Sequence, residues 1–250
     1  MAAQDNLELK AGQKCLVIAP HPDDESIGMG GFLLQHPQDC DVLVLTDGQN
    51  NRPGDREIVG LRHQEFINAM HKVGIKNFWQ WNIPDSKVSK NLFKLLKLPF
   101  NNYDYVFVPS PYESHRDHRC IYPFLKFWLH FYKPKLVTYE VGVPQLKANV
   151  IIDISDVAGQ KKEVIEEYTS QVKQTDYTKM LGLNSYRGLR KNFAYAECFR
   201  VEDCSLLSKI FSYRQEKNSM VWTILGLKFK SKKKKNYNLK SKKRNPAKME

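Results

Sequence analysis

Five short apolar runs constrain this chain more than any other feature: Lys14–Pro20, Asp41–Thr46, Asn77–Trp81, Tyr103–Pro109 and Lys135–Val141. Segments of helical periodicity lie between them, most clearly Asp55–Val73 and Ile121–Phe131. Each run is rich in Val, Leu, Ile or aromatic residues and has the length of a buried strand. Alternation at this spacing predicts βαβ units, and so an α/β fold with a mostly parallel central sheet covered by helices on both faces. Asn149–Ile154 reads as a further strand, Ser155 as the N-cap of a helix running to Val172, and Tyr195–Val201 as a late edge strand. A length of 250 residues suits one such domain over residues 1–204.

Charge divides the remainder. The formal net charge is +12, yet residues 228–250 carry eleven Lys or Arg against Glu250 alone, a local +10 that leaves +2 on the body. Residues 205–229 are apolar with scattered charges and are expected to form an amphipathic extension, read either as a C-terminal helix packed on the sheet or as an amphipathic stretch lying on a lipid surface. Residues 230–250 are Lys-rich, of low complexity, and expected to be disordered. A polybasic flank beside such an extension suits peripheral contact with an anionic membrane. Nucleic acid is a weaker partner for it, because the Lys run lacks interleaved aromatics and any RNA-binding motif.

Five dispersed cysteines without a CxxC pair point to a reducing compartment. Residues 1–13 are polar and nothing in the sequence resembles a signal peptide, so a cytoplasmic location is expected.

The first strand runs directly into His21-Pro22-Asp23-Asp24-Glu25. In an open parallel sheet, ligands gather at the carboxyl ends of the strands. Three adjacent carboxylates on a buried loop need protons or a cation to coexist. His21 and Asp24, three apart, can aim at one divalent ion and leave Asp23 as a base for water. The competing reading is a helix N-terminus capped by Asp23, Asp24, Glu25 and Ser26, which gives His21 no task. Gly28-Met29-Gly30-Gly31 starts too far from the strand for a dinucleotide fingerprint and fits close helix–sheet packing better.

A second cluster, His115-Arg116-Asp117-His118, follows the strand Tyr103–Pro109. Asp117 suits an imidazole-orienting role. Two His/Asp clusters that both end parallel strands can converge on one crevice. His21, Asp24 and one of these imidazoles then give three protein ligands and an open position, the arrangement of a catalytic zinc.

These residues resemble the PIG-L/LmbE-type de-N-acetylases. The similarity rests on Ala19 through Glu25, Leu45-Thr46-Asp47-Gly48, Arg62 with Glu65, and His115 through His118. Weaker echoes are Tyr139-Glu140, Asp153, Lys162, Ser170-Gln171 and Arg187 through Phe199. The resemblance implies a Rossmann-like three-layer sandwich and one Zn2+ per chain, with Fe2+ or another divalent metal as the alternative, held by His21, Asp24 and His118. It implies Asp23 as general base, His115 as oxyanion stabiliser or proton donor, Asp117 as the group that orients His115, and Arg62 as a substrate contact. Arg62 has an alternative partner in Glu65, three residues on. The implied reaction is deacetylation of an N-acetylglucosamine-like sugar or glycoconjugate in bacterial glycan, glycolipid or sugar-thiol biosynthesis, by a cytoplasmic enzyme that can sit at the inner membrane face. Arg116 stands where many relatives have proline. Two rival readings are a non-catalytic sugar-binding protein on the same fold and a basic adaptor acting through residues 205–250.

Overall fold

The structure is a computed structural model that describes residues 12–49, 54–172 and 176–202, together with the backbone of 211–216, 219–224 and 227–232. The chain divides into two compact units, residues 1–204 and 205–250.

The first unit is built on seven strands: β1 (Cys15–Ala19), β2 (Cys40–Thr46), β3 (Asn77–Ile83), β4 (Tyr105–Pro109), β5 (Lys135–Tyr139), β6 (Val150–Asp153) and β7 (Ala196–Val201). They are ordered β3-β2-β1-β4-β5-β7-β6. The pairs β1–β2, β2–β3, β1–β4 and β4–β5 are parallel, whereas β7 runs antiparallel to both β5 and β6. Strand order therefore reverses between β1 and β4, and the loops after those two strands open into one crevice. Every side chain of β1 and β4 is buried, as expected of strands covered on both faces. One core contains Val17, Phe32, Phe66, Phe107 and Phe199; the other contains Leu16, Ile18, Val106, Ile121 and Leu136. The alternate residues of β1 thus enter opposite layers.

The helices are α1 (Asp24–Gln35), α2 (Arg56–Val73), α3 (Arg116–Trp128), α4 (Ala158–Glu166), α5 (Thr169–Val172) and α6 (Met180–Gly188). α2 agrees with its periodicity, capped where Asp55 accepts the Ile58 N–H at 3.1 Å and closed by Gly74 at φ 88°. α1 bends at Met29 (φ −146°), and its glycines allow a close approach to the sheet. A Cβ on Gly28 would fall closer than 3 Å to the Tyr139 ring and the Glu140 carbonyl.

Four expectations need correction. β7 lies inside the sheet, and β6 is the edge strand. α3 begins at Arg116 rather than Ile121, because the metal-like cluster is itself the helix's first turn, with His115 as N-cap. The helix drawn over Ser155–Val172 is two helices separated near Tyr168, and Ser155 is not a cap: its hydroxyl donates to Asp153 at 2.6 Å. In the second unit, the expected helical extension is an antiparallel meander of β8 (Phe211–Glu216), β9 (Ser219–Ile224) and β10 (Leu227–Lys232). β10 also extends into the segment expected to be disordered; residues 233–250 and Cys204 lie outside the described residues. No helix among the described residues is long and apolar enough to cross a membrane.

Candidate metal centre and active-site cavity

His21 and Asp24 leave the end of β1, and His118 sits in the first turn of α3 beyond β4. Three of their atoms form a tight triangle. His21 Nδ1 is 3.1 Å from His118 Nε2, and Asp24 Oδ2 is 3.2 Å from each of those nitrogens. Tetrahedral ligands on bonds of about 2.0–2.1 Å stand roughly 3.4 Å apart, so the spacing fits a single small divalent ion. His115 offers a looser alternative, since the ligand nitrogens of His21, His115 and His118 all lie within 4.8 Å of one another. The triangle with Asp24 is the tighter set and includes an anionic donor that neutralises charge.

The electrostatics point the same way. Burial works against protonation of His21 and His118, yet hydrogen bonds and attraction to Asp24, Asp117 and Glu113 push them up to about 9 and about 10 respectively. Burial also opposes ionisation of Asp24, but the two imidazoles outweigh it and hold the carboxyl well below the usual range. The cluster is therefore stabilised by positive charge at its centre, which protons supply in the absence of an ion.

Asp23 occupies the N-cap position of α1 without capping it: its side chain accepts no helix N–H. The capping alternative to a metal role thus fails for this residue. Its backbone takes φ 126°, a region that costs a non-glycine residue about 1–3 kcal/mol. Glu25, fully buried, receives the Asp23 N–H at 3.2 Å, together with the hydroxyls of Ser26 and Tyr168. The Asp23 carboxylate meets Arg62 Nη2 at 3.2 Å. Burial pushes the Asp23 carboxyl up to about 8, against the pull of Arg62.

Arg62 is itself buried and donates to the carbonyls of Pro22 and Gly48 as well as to Asp23. It does not pair with Glu65, whose carboxylate is taken by Thr169 and Ser170. Arg62 therefore braces the loop that follows β1 while also lining the cavity.

Asp117 is fully buried, accepts the Ser86 N–H at 2.6 Å and lies 3.6 Å from His21 Nε2. Its carboxylate thus faces His21, and not His115 as the family resemblance implies. His115 receives only the Asp117 backbone N–H, at 3.2 Å on Nδ1. A neutral ring that accepts at Nδ1 carries its proton on Nε2. Burial, reinforced by His21 and His118, lowers the His115 pKa.

Two residues of this site carry no assignment from the sequence. Glu113 faces His118 Nδ1 at 3.8 Å and accepts backbone N–H groups from Val141, Gly142 and Val143. Asp85 lies 4.0 Å from His21 Nε2. Both are acids just past a strand's carboxyl end, the same placement as the two His/Asp clusters. The cavity enclosed by these groups measures about 250 Å³ and also meets Ile27, Gln171 and Tyr177.

Residues 16–128 match the family model described as PIG-L, GlcNAc-PI de-N-acetylase. The match spans both His/Asp clusters. This segment of the chain is similar to the PIG-L family. No curated protein sequence matches it significantly. Among solved structures, this chain is similar to the N,N'-diacetylchitobiose deacetylase of Pyrococcus horikoshii, with 25% identity over 77% of this chain and 84% of that one and a TM-score of 0.65. It is also similar to the conserved protein TT1542 of Thermus thermophilus, at 23% identity, coverages of 76% and 94%, and a TM-score of 0.63. A third neighbour is GalB, the 4-carboxy-2-hydroxymuconate hydratase of Pseudomonas putida, at 17% identity, coverages of 76% and 95%, and a TM-score of 0.59. The fold is thus found in a deacetylase and in a hydratase, and the reaction has to be argued from the site.

Proposed function

We propose that this protein is a divalent-metal hydrolase, of zinc type, that removes the acetyl group from an N-acetylglucosamine-like sugar or glycoconjugate. The observation that carries the reading is the His21–Asp24–His118 triangle with the Asp23 carboxylate beside it, in one cavity at the sheet's switch point. The family's description and the chitobiose deacetylase neighbour support the sugar amide as substrate.

His21, Asp24 and His118 would hold one ion per chain, zinc or iron. Such an ion supplies Lewis acidity, polarising the amide carbonyl and making water a better nucleophile near neutral pH. Asp23 takes the proton of the attacking water and delivers it toward the leaving amine, with Arg62 fixing its carboxylate. His115, protonated at Nε2, donates to the carbonyl oxygen as negative charge develops there. Asp117 and Asp85 face His21 at Nε2, and Glu113 faces His118 at Nδ1, so their negative charge supports the two imidazoles from the side away from the ion.

A non-catalytic sugar-binding protein has no use for a buried, strained carboxylate beside the ligand triangle, so Asp23 favours the enzyme. In the cell we read the protein as cytoplasmic, with its Lys-rich C-terminus able to approach anionic lipid at the inner membrane face. The deciding experiment is a screen of N-acetylated mono- and disaccharides, free or glycosidically linked, with released amine as the readout. Turnover of at least one supports the reading. Hydration of an unsaturated acid in place of amine release would overturn it.

A further inference from the structure

The outer surface of α3 and the 3-10 stretches Leu92–Lys97 and Leu129–Phe131 together carry exposed aromatic rings, of Phe93, Phe127 and Phe131, that neither core nor cavity uses. Phe127 and Phe131 are 58% and 64% exposed, and Phe93 is 71% exposed. Ring contacts join them into one patch: Phe93 to Phe124 at 5.5 Å, Phe124 to Trp128 at 6.2 Å, and Trp128 to Phe127 and Phe131 at 5.3 and 6.2 Å. Three large exposed aromatic rings in a single contiguous patch mark an interaction surface.

A row of cations borders it. Residues 86–103 contain Lys87, Lys90, Lys94 and Lys97 and no acidic residue. None of the four forms an ion pair among the described residues. Lys94 and Lys97 belong to one 3-10 stretch, Leu92–Lys97, in which side chains three apart eclipse. Both line a cavity of about 370 Å³ together with Trp81, Asn82 and Ile83. The row begins at the rim of the catalytic cavity, since Asp85 lines that cavity and the Ser86 N–H is held by Asp117.

We propose that this face docks on an anionic lipid bilayer, with the Phe93–Phe131 aromatics at the headgroup boundary and the Trp81–Lys94–Lys97 cavity seating a lipid phosphate. Composition selects lipid over protein. Protein interfaces are depleted in Lys, whereas Phe and Trp beside a row of lysines is the make-up of surfaces that lie in a membrane interface. Unpaired lysines also complement the negative potential of such a bilayer. The inference concerns a different element from the C-terminal tail and does not depend on the reaction assigned above.

Sedimentation of the full-length protein with vesicles tests it, using phosphatidylcholine alone and phosphatidylcholine with about 30% phosphatidylserine, enough to set the negative surface potential. The variants are F93S/F127S/F131S and K87Q/K90Q/K94Q/K97Q; all seven positions are exposed, and folding is checked by circular dichroism. The wild type should partition onto the anionic vesicles, and each variant should partition at least about ten-fold more weakly, given roughly five-fold per lysine lost near anionic lipid. Turnover of a small free sugar should be unchanged in both. Inorganic phosphate added in excess should compete only weakly if the bilayer is the ligand. The proposal is overturned if the wild type does not bind, or if both variants bind as well as it does, which would assign binding to the tail. It is equally overturned if the aromatic variant only converts a dimer to a monomer.

Discussion

His21 Nδ1 and His118 Nε2 stand 3.1 Å apart although 97 positions separate the two residues in the chain. Two ring nitrogens this close share either a proton or an ion. The Asp24 carboxylate, equidistant from both at 3.2 Å, fits either occupant electrostatically but gives a three-cornered cradle only to an ion. The remaining geometry of the site follows from holding that triangle in place.

Asp23→Asn should keep the ion and lose turnover by about 100-fold or more, because the amide preserves shape but cannot accept a proton. Metal content and released amine, measured on the same preparation, check this. Near-normal turnover would remove Asp23 from the mechanism.

Lys161 and Glu197 form a fully buried ion pair at 2.7 Å, and the Glu197 carboxylate also accepts the Gly31 and Phe32 N–H groups beyond the bend in α1. Lys161→Met leaves that carboxylate uncompensated and should destabilise the protein by about 3–5 kcal/mol in urea unfolding. The double variant K161M/E197Q should cost less than the sum of the two singles. Additivity would show that the pair is not coupled.

Gly28→Ala should lower stability by about 1–3 kcal/mol or more, since the added methyl meets the Tyr139 ring and a backbone carbonyl. It should also weaken metal binding, because α1 would have to move and Asp24 is its first residue. Calorimetric unfolding with and without added Zn2+ separates the two effects.

How much of this is legible in the sequence depends on the range of the interaction. The apolar runs that become Cys15–Ala19 and Tyr105–Pro109 read as buried strands, and ligands gather at the carboxyl ends of such strands, so the convergence of the His21–Asp24 and His115–His118 clusters is legible without coordinates, while the choice of His118 rests on the family resemblance. Partners set by tertiary packing are not. Glu197 reaches Gly31 across 166 positions, and nothing local to either residue marks the other. The family resemblance pairs Asp117 with His115, but the helix turn that begins at Arg116 carries the Asp117 carboxylate to His21. The C-terminal unit departs from expectation for a different reason. Leu227-Lys228-Phe229-Lys230 alternates with period two, which a helical reading of a mixed apolar and charged stretch overlooks.

Glu202 should shape the acid limb of stability. Burial opposes its charge, but hydrogen bonds from Arg200 at 2.6 Å and Lys126 at 3.1 Å hold the carboxyl below its ordinary value. A carboxylate depressed in the folded state contributes stability above its unfolded pKa of about 4.3, and that contribution is lost as pH falls through the folded value. Glu202→Gln should therefore cost about 1 kcal/mol or less at pH 7, because Arg200 and Lys126 are partly exposed, and should flatten the loss of stability below about pH 4. An unchanged acid limb would contradict this.

The metal-hydrolase assignment is tested most directly by stripping the protein with a chelator and titrating Zn2+ or Fe2+ back while following acetate release from an N-acetylated sugar. Activity should vanish on stripping and return with a break at about one ion per chain, and His118→Ala should show neither tight binding nor recovery. Full activity in the stripped wild type, or a break unaffected by His118→Ala, would contradict it.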